Sequence, residues 1–302
     1  MSESRRAWPA LAAFVLLSLI WGYNWVVMKK VLQFADPVDF TALRVIFGTV
    51  ALFALMLLRR MPLRPVALGP TIVLGLLQCG AFSVLIQLAL VHGGAGKTAV
   101  LVYVMPFWLL PMAWAFLGER VRGLQWVAVA MAALGLVFVL EPWSVQASLM
   151  SNAIALLASV VWASAAIYAK RLRARVRLEL VSLTAWQMLF GAIVLAVFAW
   201  LLPSRPIEPT PYFFGALAYN AILATALAWL LWLFVLDRLP AGVAGLSSLA
   251  VPAVGVLSAW LELGERPSLA EGGGMMLIAA ALALLSWLVL RATPARRARQ
   301  ER

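Results

Sequence analysis

The side chains of this sequence that could hold another molecule are mostly uncharged. Trp21, Asn24, Gln78, Ser83, Gln87, Tyr103, Trp162, Tyr168, Trp186, Gln187, Ser247 and Ser248 carry hydroxyl, amide or indole groups within long apolar runs, as do Asn220 and Thr225. Such groups offer hydrogen bonds without charge, which suits a ligand with an aromatic or aliphatic body and a small polar head. Their other use is to bond one helix to its neighbour, worth only about 0.6 kcal/mol on average in membrane bundles, and each position stays open between the two readings. Groups for covalent or metal chemistry are scarce. The sole cysteine, Cys79, has no second thiol, which excludes a disulfide and a Cys-ligated metal, and the sole histidine, His92, cannot hold a metal alone. A membrane-embedded enzyme acting on lipids would need a nucleophile or a metal cluster, and little here would build one. No cofactor and no metal are expected.

The elements that must position these residues follow from composition. Of 302 residues 65% are apolar, against about 45–50% in soluble proteins, and the 24 Lys and Arg and 12 Asp and Glu cluster between apolar runs. Ten runs are long enough for a bilayer core of about 30 Å: roughly 9–28, 40–58, 68–91, 96–117, 123–140, 150–169, 179–202, 212–236, 241–263 and 269–290. They are apolar on every face, so they read as membrane helices rather than barrel strands, and the short loops leave function to the bundle. The first run follows Arg5 and Arg6 like a signal sequence but continues to Met28 without a small-x-small cleavage pattern, so it reads as an uncleaved span. The net charge of +12 reflects topology rather than nucleic-acid binding, since no soluble segment can present a basic face. With the N-terminus in the cytoplasm, Arg59, Arg60, Arg171, Arg173, Arg175, Arg177 and the C-terminal arginines all fall inside, while Lys29, Lys30, Lys97, Arg205 and Arg266 fall outside. Both termini of a protein in a bacterial-type inner membrane are therefore expected in the cytoplasm. The arginines from 171 to 177 read as a topology and anionic-lipid signal, so the expected partners are membrane lipids and a small-molecule substrate, with no nucleic acid and no obligate protein partner.

Asp, Glu, Lys and Arg avoid the middles of all ten runs, where each would cost about 2.5–3.5 kcal/mol. Without a central carboxylate there is no proton relay or sodium site, so passage down a gradient is the expected mode of any transport. Glu262 and Glu265 fall at an outer, solvated end, and Glu119 matches Glu265 by an internal repeat of the chain. A phosphorylated ligand would need a basic clamp at mid-depth, and none is present, although Arg44 and Lys97 near the outer ends keep that alternative open. Arg44 itself reads either as a snorkelling interface anchor or as a group facing a cavity. The run Gly272-Gly273-Gly274 reads as a close-packing element, because no strand precedes it and no Lys-Ser/Thr follows.

The repeat is detailed. Residues 95–120 align without gaps on residues 241–266, bringing Pro106, Trp114 and Gly118-Glu119-Arg120 onto Pro252, Trp260 and Gly264-Glu265-Arg266. Ser18, Trp21 and Lys29 likewise meet Ser159, Trp162 and Lys170, and Phe47-Gly48 meets Phe190-Gly191. Two halves of five spans, residues 1–145 and 146–302, are expected, and an odd span count makes the second half enter from the opposite side. Inverted halves can exchange conformations and open a central site to each side in turn, the basis of alternating access. Pro106 and Pro252, at equivalent mid-span positions, are the hinge candidates, with a static bend as the other reading. Ser18, Trp21 and Asn24 share one helix face, matched by Ser159 and Trp162. Ser83 and Gln87 lie one turn apart, with Gln78 about half a rotation from Gln87, so only one of those faces can line a path. Of the 14 Trp, Trp21, Trp162 and Trp186 are the candidates for substrate contact and the rest read as interface belt or packing.

The sequence Ile20-Trp21-Gly22-Tyr23-Asn24, Arg44 in the second run, and the stretches Pro106 to Glu119 and Pro252 to Glu265 resemble the EamA family of the drug/metabolite transporter superfamily over nearly the whole chain. The resemblance implies an all-α membrane transporter of ten helices in two inverted five-helix repeats, exporting small metabolites. In size and aromatic content the chain is also similar to the YddG-type exporters of aromatic and other neutral amino acids. An exporter of drugs or toxic cations coupled to protons is the alternative within the superfamily, but such cations generally call for a buried carboxylate.

Overall fold

The computed structural model describes residues 3–92, 101–140, 149–264, 266 and 268–300. Their ordered elements are all helical. We number them α1 (Glu3–Val31), α2 (Pro37–Leu58), α3 (Leu68–Gly75, Leu76–Ala81 and Phe82–His92 in succession), α4 (Met105–Leu117), α5 (Gln125–Leu140), α6 (Leu149–Arg175), α7 (Leu180–Leu201), α8 (Pro211–Ala218, Tyr219–Leu227 and Ala228–Arg238), α9 (Ala241–Ser247 and Ala250–Leu263) and α10 (Leu269–Gln300). Uniformly apolar sequence favours this outcome because a helix satisfies its own backbone where no water can. Eight of the ten are long and apolar enough to cross a membrane; α4 and α5 are shorter apolar helices. That count covers the described residues alone. At about 1.5 Å per residue, the 16 residues of α5 cover about 24 Å, and α4 follows a tight turn at Tyr103 and Val104. The expected start of the fourth span, with Lys97, lies outside the described residues.

Local sequence sets the ends. Asp36 caps α2 by accepting from the Val38 N–H at 3.0 Å, and Thr210 caps α8 by accepting from the Phe213 N–H at 3.2 Å, each followed by a proline at the first helical position. Gly118 and Gly264 end α4 and α9 in the left-handed conformation, with φ of 68° and 71°. Two stretches, Leu76–Ala81 in α3 and Tyr219–Leu227 in α8, are π-helical.

The helices pair in a pattern that survives exchange of the first five for the last five. α5 packs along α10, α2 along α7 and α4 against α9, while α1–α9, α1–α8 and α2–α8 have counterparts in α6–α4, α6–α3 and α7–α3. Gly135 and Gly274 let α5 and α10 meet backbone to backbone, since a Cβ on either would stand 2.8 or 2.6 Å from the other's carbonyl oxygen. The close-packing reading of the glycine run therefore rests on Gly274; Gly272 and Gly273 have open space around them. Pro106 and Pro252 do not interrupt a continuous helix as expected. Each sits in the first turn of a helix that restarts after a tight turn, with Phe107 N–H donating to Val104 O at 2.9 Å and Val251 N–H to Ser248 O at 3.0 Å. A proline there forfeits no helical hydrogen bond, so the break precedes the ring instead of being forced by it.

Candidate functional site

Aromatic side chains from both halves converge at the centre. Trp21 of α1 and Trp162 of α6, equivalent by the sequence repeat, meet edge to face at 5.9 Å between ring centroids. Trp229 and Trp232 of α8 lie 5.3 and 6.4 Å from Trp21, and Trp232 is 5.6 Å from Trp162. Phe82 of α3 stands 5.1 Å from Trp162 and 6.4 Å from Trp229, and Tyr103 joins at 6.2 Å from Trp162 and 6.3 Å from Trp25. The Trp21 indole donates to the Ala224 carbonyl at 3.0 Å, inside the π stretch of α8. A π turn leaves a carbonyl without its usual helical donor, and here a side chain from the other half supplies one. The Tyr219 hydroxyl reciprocates by donating to Ile20 O at 2.7 Å. The Trp162 and Trp232 indoles, both buried, have no acceptor.

Phe82 and Trp229 also wall a cavity of about 40 Å³, which Arg44, Cys79, Ser83, Gln87 and Thr225 line with Val45 and Ile86. That volume admits water-sized molecules, whereas ligand pockets run to about 300–1,000 Å³, so the walls are closed in this conformation. The π stretches shape it: Cys79 lies in one and Thr225 in the other, and the wider turn rotates the two flanking parts of the helix relative to each other. Gln87 donates to the Thr41 hydroxyl at 2.5 Å, which leaves its own carbonyl oxygen unpartnered, and the Thr225 hydroxyl is unpartnered too. The Arg44 guanidinium reaches Asn220 Oδ1 at only 3.4 Å, and its Nε has no partner. Of its two readings, facing a cavity is the one met. No group of His, Cys, Asp or Glu among the described residues could hold a metal ion.

The other candidates scatter. Gln78 and Gln187 are fully buried outside the cavity lining with both ends of each amide unpartnered, and Asn24 Oδ1 is unpartnered as well. Ser247 and Ser248 are buried at the break in α9, where Ser248 bonds Gly245 O at 2.7 Å. Tyr168 is half-buried against the core. Trp186 lies in a different cluster, 5.2 Å from Phe53 and 5.9 Å from Phe190, and donates to Leu63 O at 3.0 Å, which anchors the segment after α2. Ser18 and Ser159 spend their hydroxyls on Phe14 O and Leu156 O of their own helices. Phe82, Trp229 and Trp232 are missed by the sequence reading, because nothing in an apolar run marks which aromatic faces inward.

Two ion pairs tie the ends of the central helices. Lys30 at the end of α1 pairs with Glu262 at the end of α9. Lys170 of α6 pairs with Glu119, just past α4, at 2.8 Å, and Glu119 also accepts from the Ala241 N–H at 2.6 Å. The left-handed Gly118 accounts for this placement, turning the chain so that Glu119 leaves the helix axis toward α6. Arg173 holds Asp237 through two bonds of 3.0 Å nearby. Glu262 is thus partnered rather than merely solvated; Glu265 lies outside the described residues.

The sequence pattern of the EamA-like transporter family matches residues 8–141 and again residues 149–287. The chain belongs to the EamA-like transporter family. Relatives include the uncharacterized transporter YoaV of Bacillus subtilis, 27% identical over 85% of this chain and 89% of that protein. The uncharacterized inner membrane transporter YedA of Escherichia coli is 25% identical over 84% of this chain and 82% of its own length. A probable amino-acid metabolite efflux pump of Salmonella typhimurium is 28% identical over 89% of this chain and 91% of its own. A protein of known crystal structure, 20% identical, superposes with a TM-score of 0.80 over 93% of this chain and 98% of its own, which shows a shared fold. This EamA-like transporter is therefore a multi-pass membrane protein that moves small molecules.

Proposed function

We propose that this transporter exports small metabolites, foremost aromatic and other neutral amino acids, across the inner membrane by alternating access, down their own gradient. The observation that carries this reading is the juxtaposition of the aromatic cluster with a polar lining of Arg44, Ser83, Gln87 and Thr225 that holds no carboxylate, at the place where the two sequence-related halves meet. The aromatic walls suit an apolar body and the hydroxyls and amides a polar head. Two efflux-pump relatives named for amino-acid metabolites support the substrate class. Two family matches in tandem and helix pairings that survive exchange of the halves support ten spans in inverted repeats, divided near residue 145, and the distribution of Lys and Arg supports cytoplasmic termini. In that topology the Lys30–Glu262 pair closes the outer face and the Lys170–Glu119 pair the inner one, while the breaks ahead of Pro106 and Pro252 let the half-helices swing. Coupling to protons would require a carboxylate in the path, and none lines the cavity.

The test is uptake of labelled phenylalanine, threonine and a quaternary cation into proteoliposomes, with and without an imposed pH gradient. Amino-acid flux that follows its own gradient and ignores pH is expected. Cation flux driven by the proton gradient, without amino-acid flux, would replace this reading by proton-coupled drug export.

A further inference from the structure

We propose that Arg44 is the receptor for an anionic head group, so that the cavity accepts carboxylate-bearing ligands and turns cations away. This rests on the transporter reading in placing the cavity on the transport path. Arg44 stands two helical turns inside α2 and lines the cavity, yet the acids in ion pairs among the described residues, Glu262, Glu119 and Asp237, are taken by Lys30, Lys170 and Arg173. A guanidinium carries five donors. Here one makes a long contact to Asn220 and the buried Nε makes none. A half-buried cation without an anion beside it is poorly satisfied, and the planar fork of an arginine matches a carboxylate through two parallel bonds. The surroundings extend the match. The free oxygens of Gln87 and Thr225 can accept from an ammonium or amide beside that carboxylate, and Phe82 and Trp229 offer faces to an apolar body.

Cys79 lines the same cavity and is the only thiol in the chain, so its rate of modification reads the charge preference without a known ligand. Protein in proteoliposomes is treated with an anionic reagent, sulfonatoethyl methanethiosulfonate, and a cationic one, trimethylammonioethyl methanethiosulfonate, each rate being divided by that of a free thiol. The normalised anionic rate is expected to lead by about tenfold or more, with Arg44→Gln abolishing the preference and Arg44→Lys keeping its sign. Equal normalised rates in the unmodified sequence overturn the assignment, even if Arg44→Gln does not fold. In parallel, flux of labelled phenylalanine is expected to exceed that of phenethylamine, the same body without the carboxylate, by about 10- to 100-fold. Equal flux of the two overturns the anion receptor and leaves transport standing. Anionic preference in labelling, with flux of neither compound or of any other amino acid, overturns the transport reading and leaves the receptor standing. Labelling by neither reagent, together with flux of no amino acid, overturns both.

Discussion

Trp21 and Trp162 face each other as repeat equivalents but are wired differently: the Trp21 indole holds a carbonyl of α8, and the Trp162 indole has no acceptor. A buried donor or acceptor left unmade costs about 1–3 kcal/mol, and several such atoms surround this centre. Gln187 is the plainest case, fully buried with neither end of its amide bonded and no place in the cavity lining. Gln187→Leu keeps the volume and removes both unmade groups, so it is expected to stabilise the protein by about 1 kcal/mol or more, with phenylalanine flux unchanged. A thermal unfolding series in detergent, run beside flux, checks this; a lower midpoint would mean that the amide is satisfied in a way the structure does not hold. At this scale the kinds of residue at the centre were legible in the sequence. Trp21, Trp162, Ser83 and Gln87 stood out because a polar or equivalent aromatic group in an apolar run is conspicuous. Phe82, Trp229 and Trp232 were not, because an aromatic facing lipid and one facing the centre have the same neighbours in sequence.

Helix faces were legible only as far as ideal geometry held. A rotation of 100° per residue placed Ser83 and Gln87 together, which the structure bears out, but the π stretch at Leu76–Ala81 resets the angle of everything before it and brings Cys79 to the cavity. The prolines marked the breaks in the fourth and ninth helices one turn too late, because a proline tolerates the first turn and the chain yields just ahead of it. The two ion pairs are the elements' locks. Their side chains are partly exposed, 31% and 32% for Lys30 and Glu262 and 21% and 25% for Lys170 and Glu119, so solvent screens each pair and its contribution is modest. That is enough to change the balance between two conformations severalfold without unfolding either. Glu262→Gln is expected to raise labelling of Cys79 by reagent added outside, and Glu119→Gln by reagent added inside, each severalfold. Comparing right-side-out with inverted vesicles checks it, and identical effects from both sides would discard the locks as gates.

The proposed orientation of the whole molecule rests on the charge imbalance between its two sets of loops, in which the arginines from 171 to 177 take part. A reporter fused to the N-terminus is expected to be active only in the cytoplasm, and so is one at the C-terminus. An N-terminal reporter active outside would reverse the assignment of inner and outer faces throughout. The sequence by itself determined that the chain is a helical membrane protein and that it carries an internal repeat. Those conclusions depend on composition, periodicity and repetition, which are local or additive along the chain. Only the tertiary structure decided which aromatics meet, that the fourth and ninth helices break ahead of their prolines, that Glu262 and Glu119 are held by lysines, and that Arg44 reaches a cavity without an acid beside it. Each of these depends on where helices far apart in sequence cross, and a run that is apolar on all sides does not state which side its neighbours will take.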